Sequence, residues 1–481
     1  MRIESAVRSK PVDGPATGSG PLDVLAPADG SLVGTIDVTA PGDVPGLVAT
    51  ARAGFAAWRR VPVGTRATLL EEAAASLAPR ADELGRLLAR ESGKILPQAT
   101  FEVRGAIGLL RGNGEHARAL EGRMLPTAAW PGNERDVAWE ERVPLGVVAA
   151  IIPFNFPVEL AVEKAAAALV MGNAVIVKPP GECPLAVLEV VGALHAAGVP
   201  RDALLVAAGP GVGAALAAAD GVDAVSLTGS TRAGIAVATS GAASLRRLHL
   251  ELGGNDALIV LDDADLDLAV SEAIRGRIMM NGQTCASNKR ILLHHAIADA
   301  FRDALVARIA AIRVGDPLDP ATELGPLIDA DAAATVAGQI RRAIEEGARL
   351  VLGDLTPRGA FLSPHVLADV PPSAAVARDD EVFGPVFTLV TIDDDDHAVE
   401  VANASMYGLM GSVFSADVAR ALAVADRLET GGVVVNGTGN YRPPFIPFGG
   451  VKMSGYGREG LGYTLEEMSQ LRFTVIRRLR R

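Results

Sequence analysis

The segment MNGQTCASNKR, residues 280–290, places one of the chain's two cysteines in a polar stretch that contains a glycine. A structural cysteine is usually a small buried hydrophobe among apolar neighbours, and Cys183 in KPPGECPLAV can be explained in that way. A thiol among polar flanks is more typical of a nucleophile, because its surroundings can favour the reactive thiolate. The flanks alone support the packing and the chemical interpretation of Cys285 about equally.

Three further side chains could serve the same chemistry, and they lie at predicted strand ends or turns. Asn155 follows a strand in IIPFNFP, Glu251 ends a strand in LELGGND, and Glu381 lies in DDEVFGPV. Each also has a simpler explanation, as a turn residue, a capping carboxylate and a surface charge. The segment SLTGSTRAG is a glycine turn that could contact phosphate through backbone N–H groups, but it lacks the ending of a P-loop.

The apolar pattern indicates the elements that must position these residues. Residues 43–118 have helical spacing. From 144 to 263, helical stretches separate runs that we interpret as strands: LGVVAAII, NAVIVK, ALLVAA, DAVSLTG, RRLHLEL and DALIVLD. Strands of this kind predict a parallel sheet covered on both faces, with a nucleotide site at its carboxyl edge. A second α/β pattern follows, and the terminal segment RFTVIRRLRR could extend a sheet.

Length, charge and cysteine content restrict the class of protein. At 481 residues the chain exceeds what one hydrophobic core usually serves, so two or more domains are expected. The net charge of −12 argues against nucleic acid or an anionic membrane as a partner. Two cysteines, an N-terminus without an apolar signal and interrupted apolar stretches predict a cytoplasmic protein. We interpret residues 1–20 as a loosely held arm.

Taken together, the motifs resemble those of the aldehyde dehydrogenase superfamily over nearly the whole chain. The matching segments, in order, are PFNFP, NAVIVKPP, LTGSTRAG, LELGGND, GQTC, EVFGPV, NASMYGL and PFGGVKMSGYGREG. Glu251 precedes Cys285 by 34 residues, which fits the family. Chance does not produce eight motifs in this order.

The resemblance implies an α/β fold with a Rossmann-like parallel-sheet cofactor domain, an α/β catalytic domain and a small β oligomerisation element. The cofactor domain would occupy 1–122 and 143–252, with an oligomerisation hairpin between them at 123–142. The catalytic domain would follow at 253–445, and 446–481 would form a return segment and a C-terminal oligomerisation strand. Because subunits of this family pair through such elements, a homodimer or homotetramer is expected.

For the reaction, the resemblance implies NAD(P)-dependent oxidation of an aldehyde to a carboxylic acid, through a thiohemiacetal and a thioester on Cys285. The Asn155 amide and the backbone N–H of Cys285 would stabilise the alkoxide, and Glu251 would activate the hydrolytic water. Relatives that transfer the acyl group to coenzyme A generally lack this glutamate, so its presence favours hydrolysis. Lys164 and Glu459 match proton-relay positions, although a structural ion pair explains them equally well.

The cofactor, NAD or NADP, would be held by residues from both halves of the chain. The expected contacts are Ile152, Pro153, Phe154, Lys178, Gly181, Gly229, Ser230, Glu381 and Phe383. Lys178 would hold the adenosine ribose, Gly229 and Ser230 would meet the pyrophosphate, and Glu381 would bind the nicotinamide ribose. Members that prefer NAD often carry a glutamate where Gly181 stands, so NADP is expected to be tolerated. No metal ligands are expected.

The aldehyde itself is not identified by the sequence. Expected substrate contacts are Phe156, Leu160, Thr284 and Arg442. Arg442 could bind a substrate anion, but a solvated or ion-paired arginine is the better supported interpretation. Glu159 and Glu163 would oppose an anionic substrate if they face the tunnel.

Two other functions remain open from the residues alone. A cysteine hydrolase or acyl-transfer enzyme would use the thiol and the base, but it would leave the nucleotide-binding features without a purpose. A non-catalytic binding member of the fold would not need Asn155, Glu251, Cys285 and Glu381 together. Cofactor reduction with a panel of aldehydes distinguishes these functions.

Overall fold

The computed structural model describes residues 21–478, so the arm predicted at 1–20 lies outside the described residues, as do 479–481. The α-helices are α1 (Val44–Trp58), α2 (Val63–Leu77), α3 (Ala81–Ser92), α4 (Leu96–Arg118), α5 (Pro157–Val170), α6 (Leu185–Ala197), α7 (Val212–Ala218), α8 (Thr231–Gly241), α9 (Leu266–Ile278), α10 (Ala298–Ile309), α11 (Ala330–Glu345), α12 (Asp395–Asn403), α13 (Val418–Ala425) and α14 (Tyr463–Glu467). The strands are β1 (Leu22–Leu25), β2 (Leu32–Ile36), β3 (Arg123–Leu125), β4 (Val137–Pro144), β5 (Val147–Ile151), β6 (Ala174–Lys178), β7 (Leu204–Val206), β8 (Ala224–Thr228), β9 (Arg247–Glu251), β10 (Ala257–Val260), β11 (Arg290–His294), β12 (Arg349–Leu352), β13 (His365–Ala368), β14 (Val386–Ile392), β15 (Met410–Phe414), β16 (Gly432–Val435), β17 (Gly455–Tyr456) and β18 (Ser469–Ile476).

The first large sheet has six strands in the order β17-β9-β8-β5-β6-β7. Strands β5 to β9 are parallel, and the short β17 pairs antiparallel with β9 at one edge. Along β5, Val148 and Ala150 face one apolar core while Val147 and Ala149 face the other, as the two-residue period of a strand requires. Burial on both faces explains why these strands are continuous apolar runs.

The second large sheet has seven strands in the order β12-β13-β14-β11-β10-β15-β16, and only β12 is antiparallel to its neighbour. The segment DALIVLD, which the pattern grouped with the strands of the first sheet, forms β10 in the middle of this one. That grouping was wrong, because an apolar run indicates that a strand is buried but not which strands it pairs with.

A small antiparallel sheet consists of β18, β4 and β3. Within residues 21–478, β18 has β4 as its single neighbour, so its outer edge is unpaired. Leu471, Phe473 and Ile476 on this strand are exposed apolar side chains. The predicted combination of two parallel-sheet units and a small β element is therefore present.

The order of the first sheet reverses at β5, whose neighbours are β6 on one side and β8 on the other. In open α/β sheets, ligands bind in the crevice outside the carboxyl ends of strands at such a reversal. The loop that carries Asn155 follows β5, Ser230 precedes α8 directly after β8, and Glu251 is the last residue of β9. The topology thus collects at one edge residues that are far apart in sequence. No helix within residues 21–478 is long and apolar enough to cross a membrane.

Candidate active site

Cys285 is partly exposed and lies in a loop that buried amide side chains hold in place. The Asn281 side chain donates to two backbone carbonyls of neighbouring loops and accepts a backbone N–H, and the Gln283 side chain accepts another. Met280 and Asn281 adopt left-handed φ values of 48° and 57°, a strained conformation for residues other than glycine. The polar flanks of the cysteine therefore hold the loop in one shape.

Asn155 and Glu251 both meet this loop. Asn155, 3% exposed, donates from Nδ2 to the Gln283 carbonyl at 3.0 Å. Glu251, 2% exposed, lies close enough to Cys285 for each group to influence the pKa of the other. Its Oε1 atom is buried and has no hydrogen-bond partner among the described residues. The fold brings these three predicted side chains together from three separate elements.

The electrostatic surroundings favour the neutral forms of the thiol and the carboxyl group. Burial, followed by the charge of Glu251, raises the pKa of the Cys285 thiol well above its usual value, while Arg442 and Lys289 oppose the increase. Burial and the charge of Glu459 raise the pKa of Glu251 to about 8. A general base whose pKa lies near working pH is well matched to proton transfer.

Lys164, Glu459 and Arg442 form a buried ion network beside Glu251. The Lys164 ammonium pairs with Glu459 Oε1, and Arg442 Nη2 pairs with Glu459 Oε2 at 2.5 Å. Against the effect of burial, these two cations lower the pKa of Glu459 to about 2. Arg442 also stacks over the Phe448 ring, 4.0 Å from its centroid. Because it is both ion-paired and packed against a ring, it is not a solvated surface arginine.

A crevice lies beside this network. Its lining consists of Leu109, Glu159, Glu163, Arg442, Pro443, Pro444, Ile446, Phe448, Glu459 and Gly460. Phe448 belongs to a small apolar cluster in which Cys285 also packs, so this wall reaches the nucleophile loop. Burial raises the pKa of Glu159 to about 7 and also raises that of Glu163, which accepts bonds from Thr464 and the Gly460 N–H. Both glutamates that the sequence could not orient therefore line the crevice.

The other predicted substrate residues lie at different depths. The Phe156 ring lies below the Lys94 ammonium, 4.0 Å from its centroid. Thr284 is buried, and its hydroxyl donates to the Met279 carbonyl at 3.1 Å. Leu160 is 2% exposed and lies in the apolar core of the helical layer.

The predicted nucleotide residues of the first sheet lie together along its carboxyl edge. Ile152, Pro153 and Phe154 follow β5, Lys178 ends β6, and Gly229 and Ser230 connect β8 to α8. Ser230 Oγ caps α8 by accepting from the Ala233 N–H at 3.3 Å. A helix N-terminus at a sheet edge is favourable for a phosphate group.

Free polar groups at this edge fit a dinucleotide. Within residues 21–478, Lys178 Nζ makes no hydrogen bond or ion pair, and Thr228 Oγ1 is buried without a partner. Burial lowers the pKa of Lys178, while the charge of Glu182 opposes this. A Cβ atom added at Gly181 would meet nothing within 4 Å, so the space beside Lys178 is open.

Glu381 and Phe383 face this edge from the second sheet's side. Glu381 Oε1 accepts from the Gly254 N–H at 3.0 Å and pairs with Lys289 Nζ at 3.3 Å. The Phe383 ring meets Phe154 edge to face, with 6.1 Å between the centroids. The two predicted cofactor segments are therefore in contact.

Two buried cations that were missed by sequence reasoning hold the nucleophile loop. Lys289 Nζ donates to the carbonyls of Thr284, Cys285 and Ser287. Arg277 donates to Gly282 O and Ser287 Oγ, each at 2.9 Å, and to carbonyls of residues 382–386. Charged residues are rarely fully buried, so their types favoured a surface interpretation. For Lys289 the one signal was the basic pair that it forms with Arg290, starting four residues after Cys285, and Arg277 gave none.

Comparisons with known proteins agree with this arrangement. Residues 15–474 match the model of the family described as "Aldehyde dehydrogenase family". A succinate-semialdehyde dehydrogenase [NADP(+)] from Deinococcus radiodurans is 40% identical, with 94% of this chain and 93% of the relative covered. A betaine aldehyde dehydrogenase from Rhizobium etli is 37% identical, with 95% and 93% covered. The NADP-dependent glyceraldehyde-3-phosphate dehydrogenase from Bacillus halodurans, solved with NADP, superposes with a TM-score of 0.92 at 35% identity and 96% coverage of both chains. The chain therefore belongs to the aldehyde dehydrogenase family, and the predicted α/β fold class and NAD(P)-dependent aldehyde dehydrogenase activity are confirmed.

Proposed function

We propose that Cys285, Asn155 and Glu251 carry out the oxidation of an aldehyde to a free carboxylic acid. The observation that carries this proposal is that Asn155 and Glu251 both lie against the loop that bears Cys285. A thiol, an amide donor and an unpartnered carboxyl oxygen together meet the needs of acyl chemistry on sulfur.

The Cys285 thiolate attacks the aldehyde carbon, and a C–S bond forms as the carbonyl oxygen becomes an alkoxide. Asn155 uses one amide hydrogen on the Gln283 carbonyl, and its other N–H, with the backbone N–H of Cys285, stabilises the alkoxide. A nicotinamide held beside Glu381 and Phe383 would supply the hydride acceptor for the tetrahedral carbon. Glu251 then takes a proton from the water that hydrolyses the thioester.

We propose that Lys164 and Glu459 act as a proton relay, which carries away the proton that Glu251 accepts. The charge of Glu459 is the second largest cause of the raised pKa of Glu251, so the two carboxyl groups influence each other. The buried ion pair with Lys164 supports a structural role as well, and the two roles are compatible.

For the cofactor, we propose that NADP is used at least as readily as NAD. Lys178, Gly229 and Ser230 would hold the adenosine and pyrophosphate end, while Glu381 and Phe383 would hold the nicotinamide riboside. The open space at Gly181 supports this preference, because no carboxylate at that position opposes a 2′-phosphate.

For the substrate, we propose aldehydes that carry no anionic group. Three carboxyl groups line the crevice, namely those of Glu159, Glu163 and Glu459, against the guanidinium of Arg442. Glu459 already pairs with that guanidinium, so a second anion would have to be buried next to the two remaining glutamates. The pKa values of Glu159 and Glu163 are already raised, so a substrate carboxylate beside them would add a further negative charge to a site that disfavours anions.

The proposed activity is tested by following cofactor reduction with neutral, cationic and carboxylate-bearing aldehydes of similar length. We expect turnover that Cys285→Ser abolishes, with the highest kcat/KM among neutral or cationic aldehydes. A carboxylate-bearing aldehyde as the best substrate would refute the substrate class. Ester cleavage that needs no nucleotide, without aldehyde oxidation, would refute the proposed reaction.

We further propose a homodimer or homotetramer that forms through the unpaired edge and apolar face of β18. Leu471, Phe473 and Val475 are exposed at alternate positions of this strand. Phe473→Asp is expected to yield monomers by light scattering, whereas Gln470→Asp on the opposite face of the strand serves as the matched control. A native protein that is monomeric at micromolar concentration would contradict the proposal.

A further inference from the structure

Lys289 contacts both the loop that carries Cys285 and the segment that carries Glu381. Its side chain is 1% exposed, and Nζ lies 2.9 Å from the Thr284 carbonyl, 2.7 Å from that of Cys285 and 3.2 Å from that of Ser287. The same nitrogen lies 3.3 Å from Glu381 Oε1 and 5.8 Å from the centroid of the Phe383 ring. One amine thus touches both the nucleophile loop and the predicted ribose-binding carboxylate.

The surroundings of this nitrogen require an ammonium group. Three carbonyl oxygens accept from it, and an uncharged amine has only two hydrogens to donate. Glu381 adds a negative charge that favours the cation. Burial lowers the pKa of Lys289, and Glu381 opposes that effect, as do Cys285 and Asp256, while Arg277 adds to it.

We infer that Lys289 is a positioning residue that supplies positive charge to the Cys285 thiol, and that Glu381 controls how strongly the thiol experiences this charge. The inference depends on the proposed function, in which Cys285 is the nucleophile and Glu381 binds the nicotinamide ribose. Ribose hydroxyls that donate to Glu381 would reduce the negative potential of this carboxylate at the thiol, so the positive charge of Lys289 would be offset less. The thiol then loses its proton to solvent more readily once the cofactor is bound.

The charges of four side chains influence the pKa of the Cys285 thiol, and their signs give the direction expected for each substitution. Besides burial, Glu251 and Glu381 raise the pKa of Cys285, whereas Arg442 and Lys289 lower it. Removing the Lys289 charge should therefore raise this pKa, and removing the Glu381 charge should lower it. Lys289 and Glu381 both lie outside the segment 280–287 that carries Cys285. Each can therefore be substituted without changing the sequence of that segment.

The test measures the rate at which iodoacetamide alkylates Cys285 as a function of pH, with and without NADP, by mass spectrometry of the labelled peptide. Cys183 is fully buried and provides an internal reference. Lys289→Met removes the charge and all of the hydrogen bonds, whereas Lys289→Gln removes the charge but keeps a neutral amide donor with two hydrogens. Glu381→Gln keeps an acceptor for the Gly254 N–H and removes the opposing charge.

We expect both Lys289 variants to shift the alkylation profile to higher pH by about one unit or more, which slows alkylation roughly tenfold at neutral pH. Glu381→Gln is expected to shift the profile to lower pH without NADP. In the native protein NADP should produce a shift in that same direction, and the Lys289 variants should lose this response.

Several outcomes would overturn the inference. A Lys289→Gln profile like that of the native protein would mean that the residue acts through hydrogen bonds alone. A Glu381→Gln profile that is unchanged or shifted to higher pH would refute the balance of charges, even if Lys289→Met fails to fold. Aldehyde turnover that survives Cys285→Ser would instead refute the proposed function, so the two failures are distinguishable.

Discussion

Gly181→Glu should shift the proposed cofactor preference of this enzyme from NADP toward NAD. The added Cβ meets nothing within 4 Å, and Gly181 does not have a left-handed φ, so a side chain is accommodated without strain. The new carboxylate would lie three residues after Lys178, at the position where the family resemblance places a glutamate in many members that prefer NAD. There it could accept a hydrogen bond from a ribose 2′-hydroxyl and would repel a 2′-phosphate.

The size of the effect follows from Coulomb's law in a half-open site. Two unit charges about 6 Å apart interact by about 0.7 kcal/mol in water and about 3 kcal/mol at an effective dielectric constant of about 20. A charged hydrogen bond to the hydroxyl adds about 1.5 to 3 kcal/mol in favour of NAD. Because about 1.4 kcal/mol is a factor of ten, the NADP-to-NAD ratio of kcat/KM should fall at least about tenfold.

The assay compares initial rates of reduction of the two cofactors for the native enzyme, Gly181→Glu and Gly181→Gln. The glutamine variant has the same shape without the charge, so it should lose much less of the NADP preference. Salt screens charges over about 8 to 10 Å at ordinary ionic strength, so the NADP penalty of Gly181→Glu should shrink as salt is added. Equal ratios for the two variants, or a native enzyme that already prefers NAD strongly, would refute the reasoning.

Glu182 provides a second check on the same charge logic. Its charge raises the pKa of Lys178, so one carboxylate already influences the predicted adenosine site. Glu182→Gln should therefore favour NADP modestly further, opposite in direction to Gly181→Glu.

The remaining predictions concern the base and its ion network. Glu251→Gln should keep a first-turnover burst of reduced cofactor while the steady-state rate falls by roughly 100-fold or more, and equal loss of both phases would count against a role in deacylation. Because Glu251 accepts a proton only when ionised, and its pKa is raised to about 8, the steady-state rate of the native enzyme should increase as pH rises through that value; a profile that stays flat there would contradict the assignment. Lys164→Met leaves Glu459 with Arg442 as its only ion-pair partner among the described residues and should destabilise the fold by about 3 to 5 kcal/mol, measured as a lower thermal midpoint. Adding Glu459→Gln should recover part of that loss, and an unchanged midpoint for Lys164→Met would show that the pair is dispensable.

Local sequence was sufficient for most of the elements. Strands such as β5 and β8 are buried on both faces, so their apolar runs were readable without knowing their partners. Asn155, Glu251 and Cys285 were predicted as site residues because their motifs, taken together, resemble those of one family. The grouping of β10 failed because strand pairing is a long-range property that composition does not encode.

Tertiary structure alone decided the electrostatics of the site. Whether Glu159 and Glu163 face the crevice, whether Arg442 is paired, and whether Lys289 is buried all depend on which distant segments pack against them. The sequence by itself determined which chemical groups are present and the strand ends at which they lie. Their charge states and partners depend on burial and on distances of a few ångströms, and only the folded arrangement of two sheets meeting at one crevice sets those distances.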